Sequence, residues 1–134
     1  MRFMLLQYYA TPRSGAPVLY EWAPEDMQAH IDFQIALNEE LTRNGEFVDA
    51  QGLTGPEVAK SVTWDGKGAP VVTDGPYPES KELIAGYRMI EVDSLERAIE
   101  IAARAAAAPG PNGVPIEDNI EVREVMSGPP PADA

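Results

Sequence analysis

The chain contains one histidine, His30, and two aspartates, Asp26 and Asp74, that could assist it in proton transfer. Histidine is the side chain best suited to that chemistry near neutral pH, and a carboxylate can orient its ring. Asp26 precedes His30 by one helical turn. Asp74 follows the strand candidate 70–73 and opens the turn-forming run Asp74-Gly75-Pro76-Tyr77-Pro78, which would hold its carboxylate rigidly. The pattern predicts acid–base catalysis, with His30, Asp74 and Asp26 as the candidate catalytic residues.

Each of these features also has a purely structural interpretation. A lone histidine among apolar helix positions is commonly a hydrogen-bonded core residue, and Asp-Gly-Pro is ordinary turn chemistry. Three hypotheses therefore stay open at this point. The chain is an enzyme that uses a His–Asp pair, a non-catalytic dimer that binds a ligand or a regulatory partner, or a structural module whose histidine belongs to the core.

Two helices are predicted, and the first of them contains Asp26 and His30. The first is predicted over 24–43, because Pro24 suits a first helical turn and Asn44-Gly45 supplies a left-handed stop. His30 lies in the middle of its apolar arc, so an imidazole there could line a pocket between helix and sheet. The second helix is predicted to begin at Asp93 or Ser94, with Asp93 and Glu96 as an acidic capping box. Its predicted inner face consists of Leu95, Ala98, Ile99, Ala102 and Ala106, and it closes at Pro109-Gly110-Pro111.

Strands are predicted where short apolar or aromatic runs lie between turn signals. These runs are 2–9, 46–50, 60–64, 70–73, 84–92 and 120–125, and the third and fourth form a hairpin around Asp65-Gly66. The resulting order is strand, helix, strand, hairpin, strand, helix, strand. This order predicts an α+β fold, a ferredoxin-like split β-α-β with an antiparallel sheet and an inserted hairpin.

The central strands of this predicted sheet are apolar on both faces. Helices can cover only one face of such a sheet, so the other face needs a second partner. Two-fold homodimers are the commonest oligomers, and a homodimer is the simplest solution. The alternative is that the loop 10–23 folds over the second face.

Length and composition exclude several classes of function. The 134 residues make one domain, 1–126, followed by a Gly/Pro/Ala-rich tail, 127–134, predicted to be flexible. The net charge of −12 would repel nucleic acids and anionic membrane surfaces. No apolar run approaches the roughly 18 residues of a membrane span. The absence of cysteine excludes thiolate zinc sites and fits a cytoplasmic location. No spacing signals a metal or cofactor site.

The stretch VTDGPYPESKELIAGYRMIEVDSLERAIEIAAR resembles the segment that gives the DGPF-type YCII-related family its name. The opening RFMLLQYY, the helix with AHIDFQIALNEEL and the closing IEVREV are also similar to that family, so the resemblance covers nearly the whole domain. The sequence departs from the family pattern at Tyr77, where Phe is usual, and at Ala85, where Gly is frequent. It departs again at Arg88, where an apolar or aromatic residue is usual.

The resemblance implies a dimeric α/β barrel, with His30 and Asp74 in the positions of the family's candidate His–Asp pair. It supplies no substrate, since the family's reaction is not established, and it implies a functional link to an extracytoplasmic-function sigma factor. We predict that Tyr8, Tyr77, Tyr87 and Arg88 shape a pocket for a small molecule. Arg88 could anchor an anionic substrate by a bidentate contact, or pair with a carboxylate such as Glu91 or Glu121.

Overall fold

A computed structural model describes residues 1–8, 21–75 and 84–128 of the chain. Within these ranges it contains six strands and two α-helices. In chain order they are β1 (Arg2–Tyr8), α1 (Pro24–Arg43), β2 (Phe47–Gly52), β3 (Lys60–Thr63), β4 (Val71–Asp74), β5 (Ile84–Glu91), α2 (Leu95–Ala106) and β6 (Ile120–Glu124). The run 76–83 and the tail from 129 onward lie outside the described residues.

Four of the strands form one antiparallel sheet in the order β2-β5-β1-β6. The first and last strands of the fold are therefore neighbours, and β5 lies between β1 and β2. This is the arrangement that a split β-α-β unit produces when each helix returns the chain across the same face of the sheet. The predicted α+β, ferredoxin-like fold is confirmed.

The ends of both helices follow from local chemistry. α1 has proline in its first turn, and the chain leaves the helix through Gly45, whose φ of +73° is open to glycine at little cost. α2 is capped by Ser94, whose hydroxyl accepts a hydrogen bond from the backbone N–H of Arg97 at 3.1 Å. The predicted Asp93–Glu96 capping box is therefore wrong, because the neighbouring serine takes the capping position.

The hydrophobic core lies between the two helices and one face of the sheet. Phe3 and Leu5 of β1 and Ile90 of β5 contribute the sheet side, with Leu37 and Leu41 of α1 facing them. α2 buries Ala98, Ile101, Ala102 and Ala105.

The predicted inner face of α2 was partly wrong. Leu95 and Ile99 are about half exposed, at 46% and 51%, whereas Ile101 is completely buried. The buried stripe follows the alanines, whose small side chains allow the helix to approach the sheet closely.

Among the described strands, β3 and β4 pair only with each other and form a separate two-stranded hairpin. All eight strand residues are exposed, including Val62, Val71 and Val72. A two-stranded hairpin is at best marginally stable in water without a surface to pack on. The hairpin is therefore the part of the described fold with the least support from the rest of the chain.

The segment between α2 and β6 is a loop that folds back on the end of α2. Pro109 bridges to Pro115, and the N–H groups of Ile116 and Asp118 donate to the carbonyls of Ala108 and Ala106. A short 3-10 turn, 111–113, sits at its tip. These backbone bonds fix the loop beside the N-terminal half of α1.

Candidate functional site

A cleft of about 360 Å³ opens between α1 and the sheet. Its polar wall is formed by Gln7 of β1, Arg88 of β5, and three residues of α1. Those three, His30, Gln34 and Asn38, are spaced four residues apart. This spacing places them in one stripe along the helix, directly above the sheet.

The imidazole of His30 is held in one orientation by the backbone of the loop. Its Nδ1 lies 2.9 Å from the carbonyl oxygen of Pro109. A carbonyl can only accept, so in the neutral ring Nδ1 carries the proton and Nε2 carries the lone pair. Nε2 has one long contact, 3.5 Å to the amide nitrogen of Gln34. The indole of Trp22 packs edge-on against the ring, with centroids 5.3 Å apart.

The guanidinium of Arg88 continues this polar chain toward the sheet. Its Nη2 donates to Oε1 of Gln34 at 2.6 Å, and its Nε donates to Oδ1 of Asn38 at 2.7 Å. Arg88 is only 7% exposed, and burial lowers its pKa from the ordinary value. Gln34 therefore connects the histidine and the arginine, with its oxygen on the cation and its nitrogen toward the ring.

Asp118 is the acidic residue that acts electrostatically on His30. It is half-buried at the end of the loop, and Gln7 approaches its carboxylate at 3.4 Å. Burial raises the pKa of Asp118, while the Asn119 N–H and the charge of His30 oppose that shift.

We expect Asp118→Asn to stabilise the protein at neutral pH. Because burial raises the pKa of Asp118, the folded protein favours the protonated carboxyl group. The stability gained in this way is fully present below the unfolded pKa, near 3.8, and is lost as the pH rises through the pKa of the folded protein. An amide carries no charge, so the variant should have the higher urea midpoint at pH 7, and the difference should vanish below about pH 4. Asp32→Asn, at an exposed position on α1, serves as the control and should change little. A variant less stable than the wild type at pH 7 would contradict this expectation.

Neither of the sequence-predicted acids is hydrogen-bonded to the imidazole in the described structure. The ring's hydrogen bonds go to Pro109 and Gln34, and Asp26 makes none with it. Asp74 lies at the end of β4, with its side chain 87% exposed and 2.5 Å from Nζ of Lys60. It is not part of the cleft wall formed by the described residues of this chain.

The predicted pocket residues divide into three groups. Arg88 and Tyr87 both line the cleft, and the Tyr87 hydroxyl donates to Asp49 at 2.7 Å, which raises the pKa of the tyrosine. Tyr8 donates instead to Glu121 and is not among the cleft residues. Tyr77 lies outside the described residues. Arg88 pairs with neither Glu91 nor Glu121 but with two amides.

Sequence reasoning missed Gln34, Asn38, Gln7 and Asp118. A signal for the first two existed, since polar residues repeat every four positions through an otherwise apolar arc that begins at His30. Nothing comparable marks Asp118 or the Pro109 carbonyl. Within 1–8, 21–75 and 84–128, no three acidic or histidine side chains come together as metal ligands.

A comparison with models of known protein families gives a match over most of the chain. A search among curated proteins found no significant match. In the described part of the chain, neither helix has the length and apolar character needed to cross a membrane. The model of the YCII-related domain, in contrast, matches residues 1–127, which include both helices and every residue of the cleft. Because that match spans nearly the entire sequence, the chain belongs to the YCII-related domain family.

Proposed function

We propose that the cleft between α1 and the sheet binds a small molecule and that His30 transfers a proton to or from it. The observation that carries the proposal is the fixed ring. With its Nδ1–H held by the Pro109 carbonyl, Nε2 is a basic nitrogen in the wall of an open cleft. A core histidine that served packing alone would need no cleft beside it.

Asp118 supplies the second group of the proposed acid–base pair. When Nε2 takes a proton, the ring becomes a cation, and that charge lowers the pKa of Asp118 against the opposing effect of burial. The proton can then be returned to another atom of the substrate. Within one chain, this pairing replaces the predicted pairing of His30 with Asp74.

A homodimer is the second part of the proposal. The β3–β4 hairpin presents Val62 and Val72, which are paired in register, on one exposed face. Apolar surface of this kind commonly marks an interface, and a second copy is the simplest occupant. Asp74 pairs with Lys60 on the same face of the hairpin. In the dimer, Asp74 remains a candidate catalytic acid only if the hairpin of one copy places it in the cleft of the other copy.

The test compares untargeted mass spectra of a metabolite extract incubated with the wild-type protein and with variants. Wild-type protein should consume at least one metabolite, and His30→Gln should slow that turnover by about 10²-fold or more. Asp118→Asn should slow it as well, although it leaves the protein at least as stable. Asp26→Asn is the matched control on α1 and should retain the rate, since Asp26 forms neither of the hydrogen bonds of the ring.

Two outcomes would contradict the proposed function. If His30→Gln retains turnover, the histidine is not the proton-transfer group. If the wild-type protein consumes nothing while a metabolite raises its melting temperature, the cleft binds without reacting, which is the non-catalytic alternative. The predicted link to a sigma factor would then become the leading functional hypothesis.

A further inference from the structure

Arg88 is a buried cation that has no anionic partner among the described residues. It is 7% exposed, and both of its hydrogen bonds go to neutral amide oxygens, those of Gln34 and Asn38. None of the ion pairs among the described residues includes it. Burial lowers the pKa of its guanidinium, and no carboxylate acts to raise it. Proteins pair such charges because desolvation without a counter-charge is costly.

The unused part of the guanidinium faces the cleft. The two amides hold one edge of the fork, formed by Nε and Nη2, which leaves both protons of Nη1 and one of Nη2 without a partner. The described structure has no fully buried side-chain nitrogen or oxygen without a hydrogen bond. Nη1 is therefore not fully buried, and the open space that Arg88 lines is this cleft. The free Nη1–Nη2 edge matches the two oxygens of a carboxylate.

We infer that the ligand of this cleft is a small organic acid, bound as its monocarboxylate by the Nη1–Nη2 edge of Arg88. The inference rests on the proposed function, because the site is the same cleft. Among the described residues that line the cleft, Arg88 is the one with a permanent positive charge, which matches one carboxylate better than a doubly charged ligand such as phosphate. The apolar walls, formed by Leu5, Ile31, Ile35 and Ile120, fit an apolar body attached to the carboxylate.

In this arrangement Gln34 spans the two ends of the site. Its amide contacts the arginine that holds the carboxylate and the histidine that is proposed to transfer the proton. The reacting atom of the ligand would then lie close to its carboxylate rather than at a distant end. The class of ligand is therefore a carboxylic acid whose proton transfer occurs near the acid group.

Calorimetric titration with defined probes tests the inference. The probes are formate, acetate and benzoate, with benzamide as the neutral analogue of benzoate and inorganic phosphate as the dianion. Wild-type protein should bind benzoate at least about tenfold more tightly than benzamide, as expected for a hydrogen-bonded charge pair. Arg88→Gln should remove that preference, and Arg123→Gln, at an exposed arginine of β6 outside the cleft, should keep it.

The difference between the wild-type affinities for benzoate and benzamide tests the inference even if Arg88→Gln fails to fold. Equal binding of benzoate and benzamide, or no binding of any carboxylate, would overturn the inference. Phosphate binding as tight as benzoate binding would overturn the monocarboxylate assignment. His30→Gln separates this inference from the proposed catalysis. Suppose that folded His30→Gln protein retains turnover and still binds benzoate more tightly than benzamide. The histidine then has no catalytic role, and the carboxylate site is still supported.

Discussion

Gly86→Ala is expected to lower the free energy of unfolding by roughly 1–3 kcal/mol, the usual cost of adding a methyl group where there is no space. A Cβ at residue 86 would lie 2.8 Å from the carbonyl oxygen of Gln51 and 3.3 Å from Cα of Gly52. Both contacts are to the backbone of β2, which pairs with β5 in the sheet. The strands would have to separate locally, because no flexible side chain is available to move.

Gly52→Ala is the matched control for this measurement. Gly52 is the register partner of Gly86, yet a Cβ there would meet no atom within 4 Å. The same substitution should be neutral, or stabilising by about 0.4–1 kcal/mol through the unfolded state. Urea unfolding of both variants provides the comparison. Equal effects at the two positions would show that the close approach of β2 to β5 does not exist in solution.

Val72→Glu is expected to convert the proposed homodimer into monomers. The substitution adds a charge to the exposed face of the hairpin that carries Val62 and Val72. The two copies would then bury equal charges, which should weaken association by about tenfold or more. Sedimentation velocity should show the wild type at twice the 14.5 kDa of one chain and the variant at the mass of a single chain.

Thr73→Glu is the control, since residue 73 is the next position along β4 and points to the opposite face of the hairpin. It should leave the dimer intact. A monomeric wild-type chain would remove the dimer proposal, and equal masses for the two variants would remove the Val62–Val72 face as the interface. Circular dichroism shows whether each variant retains its fold.

The ends of the first helix could be predicted from the sequence because strong local signals mark them. Pro24 and Asn44-Gly45 enclose α1, and the predicted range 24–43 agrees with Pro24–Arg43 in the structure. The inner face of α2 was harder to predict, since isoleucines lie on two sides of the helix and only Ile101 packs against the sheet while Ile99 is half exposed. An apolar pattern alone does not say which of two apolar sides will face the core.

The site was less accessible from the sequence than the fold. His30 could be singled out as the one histidine, and helix periodicity placed it toward the sheet. Its actual partners depend on tertiary structure, since Pro109 is 79 positions away along the chain. Asp118 lies in a loop without periodicity, so nothing in the sequence distinguishes it from the exposed carboxylates. The predicted acid, Asp74, belongs to a two-stranded hairpin that is separate from the main sheet.

The carbonyl that orients His30 belongs to the main chain, so any amino acid at position 109 would provide it. An alanine scan would therefore overlook the group that decides which imidazole nitrogen is free. Relatives could change the residue at this position without losing the proton arrangement. Inserting or deleting one residue between α2 and β6 would shift the oxygen and release the ring. Tolerance to substitution combined with intolerance to a change of length is the evolutionary signature expected of this loop.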